Sequence, residues 1–232
     1  MGSSLMISSI EARIDAWQRI LENKKKQDSQ KKKAVTITIS REFGCEGFPL
    51  AEKLKELLEQ QTGEEWVIFD RALIEKVAQE VQLSPSEIKI IEDRSHFLDI
   101  FSSFRSKSVT KGQVFQRVAH YILKVAKSGN AIIVGRGGAF ITRDLDNCFH
   151  FRLVAPFEFR VSSMAKRMQI EESKAEKFVI ENSHARERFL NEFFSKDIND
   201  PKYFHAIFNN QKLNLDTITE CILNCLAPAL KK

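Results

Sequence analysis

Residues 36–54 read TITISREFGCEGFPLAEKL, and the way this stretch divides decides the fold. Val35, Ile37 and Ile39 alternate with polar residues, the period of a strand whose two faces differ. Gly44 and Gly47 break that period. Beyond them Leu50, Leu54, Leu57 and Leu58 recur at the spacing of an amphipathic helix. Strand, glycine loop and helix in this order set backbone N–H groups and a helix N-terminus where an anion can be held. The common form, G-x-x-x-x-G-K-[ST], has a lysine directly after its second glycine, whereas this chain has Phe48. The stretch reads as a modified phosphate loop.

The alternation continues along the chain. The pattern predicts a helix over 47–61, a strand over 66–69, a helix over 72–81 and a helix start at Ser84-Pro-Ser-Glu87, with interrupted helices through 127. AIIVG at 131–135 is a continuous apolar run closed by glycine, which suits a buried parallel strand. A strand over 150–155, helices over 157–168 and 171–195, a strand over 205–210 and a helix over 215–227 complete the series. Such alternation with short connections gives a parallel sheet covered on both faces. Ligands of these sheets bind at the carboxyl ends of the strands, where Ser40-Arg41, Asp70-Arg71, Gly135-Arg136 and Ala155-Pro156 fall.

Arg41, Arg71 and Arg136 each stand within two residues of a strand end. Guanidinium groups delivered to one edge of a sheet suit a polyanion, which they can bind with paired N–H donors. Arg160, Lys166, Arg167, Arg186 and Arg188 add positive charge on the two helices that follow the fourth strand.

Composition narrows the alternatives. A length of 232 residues fits one α/β domain with an appended segment, and 43% hydrophobic residues exclude wholesale disorder. No apolar run reaches the ~18–20 residues of a membrane span, and the N-terminus has no secretory apolar region, so cytoplasm is the expected compartment. Cys45, Cys148, Cys221 and Cys225 form no C-x-x-C pair and read as reduced thiols, the last two packing on one helix. Five scattered histidines make no metal-ligand set, and no protein-held metal is expected.

Residues 1–33 carry eight Lys/Arg against four Asp/Glu, most of the net charge of +5. The run KKKQDSQKKK at 24–33 reads as a solvated linker more readily than as a site for nucleic acid or anionic lipid. Ile7, Ile10, Ile14, Trp17 and Leu21 predict an amphipathic helix over 6–23. Its apolar stripe must dock on the main domain or on a second copy of the chain, which would make a homo-oligomer. The expected division is a helix and Lys-rich linker at 1–33 and a main domain at 34–232.

Five segments taken together, ISREFGCEG, VIFDRALIEKVA, AIIVGRGGAFI, FRLVAPFEFRV and DPKYFHAIFNN, resemble the cytidylate-kinase-like branch of the nucleoside monophosphate kinases over about residues 35–228. The resemblance implies a P-loop NTPase-type three-layer α/β/α fold with a central parallel sheet, an acceptor-binding insert and a helical lid. It implies transfer of the γ-phosphoryl of ATP to a nucleoside monophosphate, CMP or dCMP first, with Mg²⁺. On the matching positions, the loop residues Ser40, Arg41, Gly44, Cys45, Glu46, Gly47 and Phe48 would hold the donor phosphates. Asp70, Arg71, Arg136 and, on the preceding helix, Arg117 would meet the acceptor. Arg136, Arg160, Arg167 and Arg186 would act on the transferring group. Residues 95–112, with Leu98, Phe101 and Phe104, either cover the acceptor or serve as core or a dimer contact.

The departures have chemical weight. Glu46 brings a carboxylate to the loop, Phe48 supplies no cation, and Pro49 removes one N–H at a position where a helix start tolerates it. No hydroxyl follows the loop for Mg²⁺. Gly137 stands where the better-known cytidylate kinases have an aspartate that reads the base. A phosphotransferase is the first expectation. A catalytically weak or inactive nucleotide-binding module of the same fold is the second, and a nucleic-acid or membrane binder working through the lysine tail the third.

Overall fold

The computed structural model describes residues 9–26, 34–73, 109–194 and 197–230. Its frame is a five-stranded sheet in the order β2-β3-β1-β4-β5, with every pairing parallel. The strands are β1 (Thr36–Arg41), β2 (Val67–Phe69), β3 (Ala131–Val134), β4 (Cys148–Val154) and β5 (Ala206–Asn209). The described helices are α1 (Ile10–Lys26), α2 (Gly47–Thr62), α3 (Val109–Ser128), α4 (Gly138–Ile141), α5 (Phe157–Met168), α6 (Glu172–Phe194) and α7 (Leu215–Leu230).

The alternation in TITIS explains why β1 is central. Ile37 and Ile39, fully buried, point into the layer under α2 and α7 with Ile132, Val134, Phe151 and Leu153. Alternate residues face the opposite layer, so Thr36 and Thr38 are buried there too and need partners. Thr36 Oγ1 donates to the Ala126 carbonyl at 3.0 Å, and Thr38 Oγ1 meets His150 Nδ1 at 2.8 Å. The second layer gathers α1, α3, α4 and the end of α6 on Val67, Phe69, Ala131 and Ile133. Helices cover both faces of the sheet, the three-layer α/β/α arrangement expected.

Element bounds differ little from expectation. The strand predicted at 205–210 forms at Ala206–Asn209, and the helix at 171–195 at Glu172–Phe194. The four-residue α4 and a 3₁₀ turn at Pro201–Tyr203 are additional; both are too short to carry a period. The predicted helix at 72–81 beyond Leu73, the helix start at Ser84 and the aromatic segment at 95–108 lie outside the described residues.

Helix α1 docks on its own chain. Ala16, Trp17 and Ile20 are buried, and the Trp17 ring stands edge-on to Phe69 and Tyr121 at 6.1 and 5.1 Å. Of the two docking modes left open by the sequence, this is the intramolecular one. No described helix is long and apolar enough to cross a membrane. Among the described residues, no group of three or more His, Cys, Asp or Glu is placed to hold a metal ion.

Candidate functional site

β1 delivers Ser40 and Arg41 to the carboxyl edge of the sheet, and the loop from Glu42 to Glu46 turns back into α2. Gly44, at φ +102°, lies against the start of α5: a Cβ here would come within 2.5 Å of the Arg160 Cβ and 2.8 Å of its carbonyl oxygen. The glycine therefore admits the neighbouring helix. The Arg41 side chain threads between two further glycines. A Cβ on Gly47 would stand 3.1 Å from Arg41 Cδ, and one on Gly135 would collide with the Arg41 guanidinium.

Three arginines of the α5–α6 hairpin seat on the carbonyls of this loop. Arg186 Nη1 donates to the Arg41 carbonyl at 2.8 Å, Arg160 Nη1 to that of Phe43 at 3.2 Å, and Arg167 Nη2 to that of Gly44 at 2.6 Å. Phe43 inserts into the hairpin, edge-on to Phe178 at 5.4 Å, and the Arg186 guanidinium lies over its ring at 5.0 Å. Loop and hairpin are thus tied by an aromatic plug and by charge-assisted hydrogen bonds.

On the β3 side of the loop opens a cleft of about 300 Å³. Arg41, Arg71, Arg136 and Arg186 line it with Phe140 and Phe189, and no Asp or Glu is among its described lining residues. The turn after β3 aims Arg136 at this space: Gly135, Arg136 and Gly137 all take positive φ, at 81°, 53° and 70°. For Arg136 that conformation costs about 1–2 kcal/mol, which the surrounding turn must offset. Its guanidinium lies 5.5 Å from the Phe189 ring centre. The space a side chain at 137 would need is filled by the Phe194 ring, so a base-reading aspartate has no room at that position.

Electrostatics agree with an anion site. Burial and then the Arg136 charge push the Arg41 guanidinium down to about 10, with Asp70 opposing. Burial and then Arg41 push Arg186 down to about 8. Cationic groups crowded away from water favour a bound anion, which relieves both penalties. The Cys45 thiol is driven the other way, up to about 11, by burial and by Glu42. It packs in the layer under α2 as a neutral thiol.

The remaining expected residues fall as follows. Ser40 and Arg71 line the cleft. Asp70 accepts the Leu73 N–H at 2.9 Å and lies 3.4 Å from Arg13 Nη1. Glu46 turns toward β5: Asn210 Nδ2 donates to its carboxylate at 3.0 Å, and Asn210 Oδ1 accepts its N–H at 2.8 Å. Phe48 packs partly buried on the α2-side core. Arg117 is exposed on α3 and lines neither this cleft nor its neighbour. The structure leaves it apart from the other arginines.

The sequence reading missed Arg152, Asn210 and Arg13. Arg152 is 3% exposed on β4, pairs in register with Ser40, donates to Asn199 Oδ1 at 2.9 Å and lines a second cavity of about 320 Å³ beside Arg160 and Arg186. Its signal was an arginine inside the apolar run FHFRLV. Asn210 directly follows the fifth strand, the position that had drawn attention to the other strands.

The sequence model of the cytidylate kinase-like family matches residues 36–212. No curated protein matches the chain. Among solved structures, an uncharacterized protein from Eubacterium ventriosum superposes with a TM-score of 0.67 at 20% identity, over 84% of this chain and 99% of that one. A shikimate kinase from Bacteroides thetaiotaomicron gives a TM-score of 0.46 at 13% identity, over 83% and 98% of the two chains.

Proposed function

Because the chain belongs to the cytidylate kinase-like family, we propose that it moves the γ-phosphoryl group of ATP to a nucleoside monophosphate, with CMP and dCMP as the first acceptors to test. The observation that carries this reading is the cleft beside the loop, lined by Arg41, Arg71, Arg136 and Arg186 and by no acidic residue among those described. Phosphoryl transfer asks a protein for alignment and charge neutralisation more than for covalent help.

In this reading residues 34–232 are the cytoplasmic kinase unit and 1–33 an appended helix and linker. Backbone N–H groups at the start of α2 and the Arg41 side chain meet the donor phosphates, with Ser40, Gly44, Cys45, Glu46, Gly47 and Phe48 shaping the loop. Arg136 and Arg71 hold the acceptor phosphate, and Asp70 fixes the chain entering Arg71. Arg160, Arg167 and Arg186 exchange loop carbonyls for phosphoryl oxygens, which are stronger acceptors. Closing the hairpin on the donor excludes water and suppresses hydrolysis. Mg²⁺ would enter with ATP and would supply neutralisation of the developing phosphate charge, with Arg41 and Arg136 adding to it from the protein side.

A second reading is a nucleotide-binding module with little or no turnover. It draws on the lysine-less loop and on the Glu46 carboxylate at the N-cap of α2. The test is Mg·ATP-dependent transfer to CMP, dCMP, UMP, AMP and GMP with the nucleotide products separated. Product from one acceptor, lost in Arg136→Ala, supports the kinase; ATP binding by calorimetry without product supports the module.

A further inference from the structure

Arg13 lies on the apolar stripe of α1, between Ile10 and Trp17, and is only 6% exposed. Its Nη1 donates to the Ile68 carbonyl at 3.2 Å and stands 3.4 Å from Asp70 Oδ1. The same Oδ1 accepts the Leu73 N–H at 2.9 Å. Between Asp70 and Leu73 the chain passes through Arg71, which lines the arginine cleft. Among the described residues β2 is the edge strand of the sheet, three residues long and paired with β3 alone. Its exit therefore has one neighbouring strand to fix it. Helices pack on both of its faces, and α1 alone among them bonds to its exit by a charged side chain among the described contacts: Trp17 stands against Phe69, and Arg13 takes the carbonyl and carboxylate on either side of that residue.

A guanidinium buried for stability alone is poorly chosen, since an apolar side chain of similar size does as well or better. Its worth lies in directional bonds to a specific piece of backbone. We infer that α1, which lies outside the residues matched to the family, is a positioning element for the acceptor side of the cleft: Arg13 fixes Asp70 and thereby sets the path on which Arg71 reaches the bound phosphate. This rests on the reading of the cleft as the acceptor site. Arg13 touches neither substrate and acts through Asp70.

The test uses the full chain as wild type, Arg13→Met and Arg13→Lys, each checked for folding by its circular dichroism and Trp fluorescence. Amide exchange at residues 69–73 is measured first, without ligand. Phosphoryl transfer is then measured with CMP and Mg·ATP varied separately. Loss of a charge-assisted hydrogen bond predicts exchange faster by about tenfold or more in Arg13→Met, and a KM for the acceptor raised by about tenfold. The KM for Mg·ATP should stay within about twofold, and Arg13→Lys, which keeps the charge but not the fork, should recover part of the loss. Unchanged exchange in Arg13→Met overturns the inference, as does an equal loss for acceptor and ATP. Should wild-type protein transfer to no acceptor, the kinase reading fails by itself and the exchange measurement decides the inference.

Discussion

Arg186 Nη1 donates to the carbonyl oxygen of Arg41 at 2.8 Å, so the hairpin helix is tied to the strand that feeds the loop at the point where their two guanidinium groups repel. After burial, Arg41 lowers the pKa of Arg186, and Arg136 lowers that of both. The ligand-free cluster is held together by backbone acceptors and strained by charge.

Pyrophosphate should relieve that strain. A ligand at a hundred times its Kd stabilises by about 2.7 kcal/mol, which for a domain of this size raises Tm by about 5–10 °C. Arg186→Met should melt no lower than wild type without ligand and should lose most of the rise. Thermal melts with and without pyrophosphate check this; an undiminished rise in Arg186→Met would remove Arg186 from the anion site.

Gly44→Ala should be costly. The position sits at φ +102°, and the new methyl would press on the Arg160 backbone. Positive φ and the clash together predict a loss of about 2–4 kcal/mol in a urea melt. Because displacing α5 also displaces Arg160 and Arg167 from the loop, ATP affinity should fall with it. A neutral Gly44→Ala would mean that α5 stands away from the loop in solution.

The fold was legible because its signals are local. TITIS shows the two-faced strand, AIIV the buried one, and the leucines after Pro49 the helix. The arginines at three strand ends were legible for the same reason, since a strand end is visible in the sequence. What was not legible depends on contacts between distant segments. Gly44 was read with the phosphate loop, and its packing against Arg160, far away in sequence, carries no local signal. Glu46 was read as a carboxylate brought to the loop, and its holder, Asn210, is 164 residues away. Arg13 broke the apolar stripe of its helix, a signal that gains meaning only once Asp70 is seen beside it.

Stability should fall in mild acid through His150. Burial and then His205 push its pKa down to about 4, from 6.5. Between those values the unfolded chain takes up a proton that the folded chain refuses, so stability drops as pH falls from about 6.5 to about 4. The slope is about 1.4 kcal/mol per pH unit, and above pH 7 this contribution is flat. Denaturant melts across that range should show a shallower slope in His150→Asn than in wild type. Identical slopes would place the acid sensitivity elsewhere.

The Glu46–Asn210 pair should limit how tightly the loop holds a polyphosphate. Asn210 takes the Glu46 N–H and donates to the carboxylate, so one loop donor is spent and one negative charge is fixed at the N-terminus of α2. That charge suits the helix dipole, by about 0.3–1 kcal/mol, and opposes a polyphosphate. Glu46→Gln keeps an acceptor for Asn210 and removes the charge. It should cost under about 1 kcal/mol of stability and tighten ATP by roughly tenfold at low salt, with the gain shrinking as salt screens it. Calorimetric titration of ATP at two salt concentrations reads both effects. Asn210→Ala supplies the complementary test, since it frees the N–H as well as the carboxylate and should cost about 1–3 kcal/mol of stability. An unchanged ATP affinity in Glu46→Gln would show that the carboxylate lies outside the phosphate field. The missing lysine would then account for the loop's weakness, and Phe48→Lys becomes the substitution expected to restore binding.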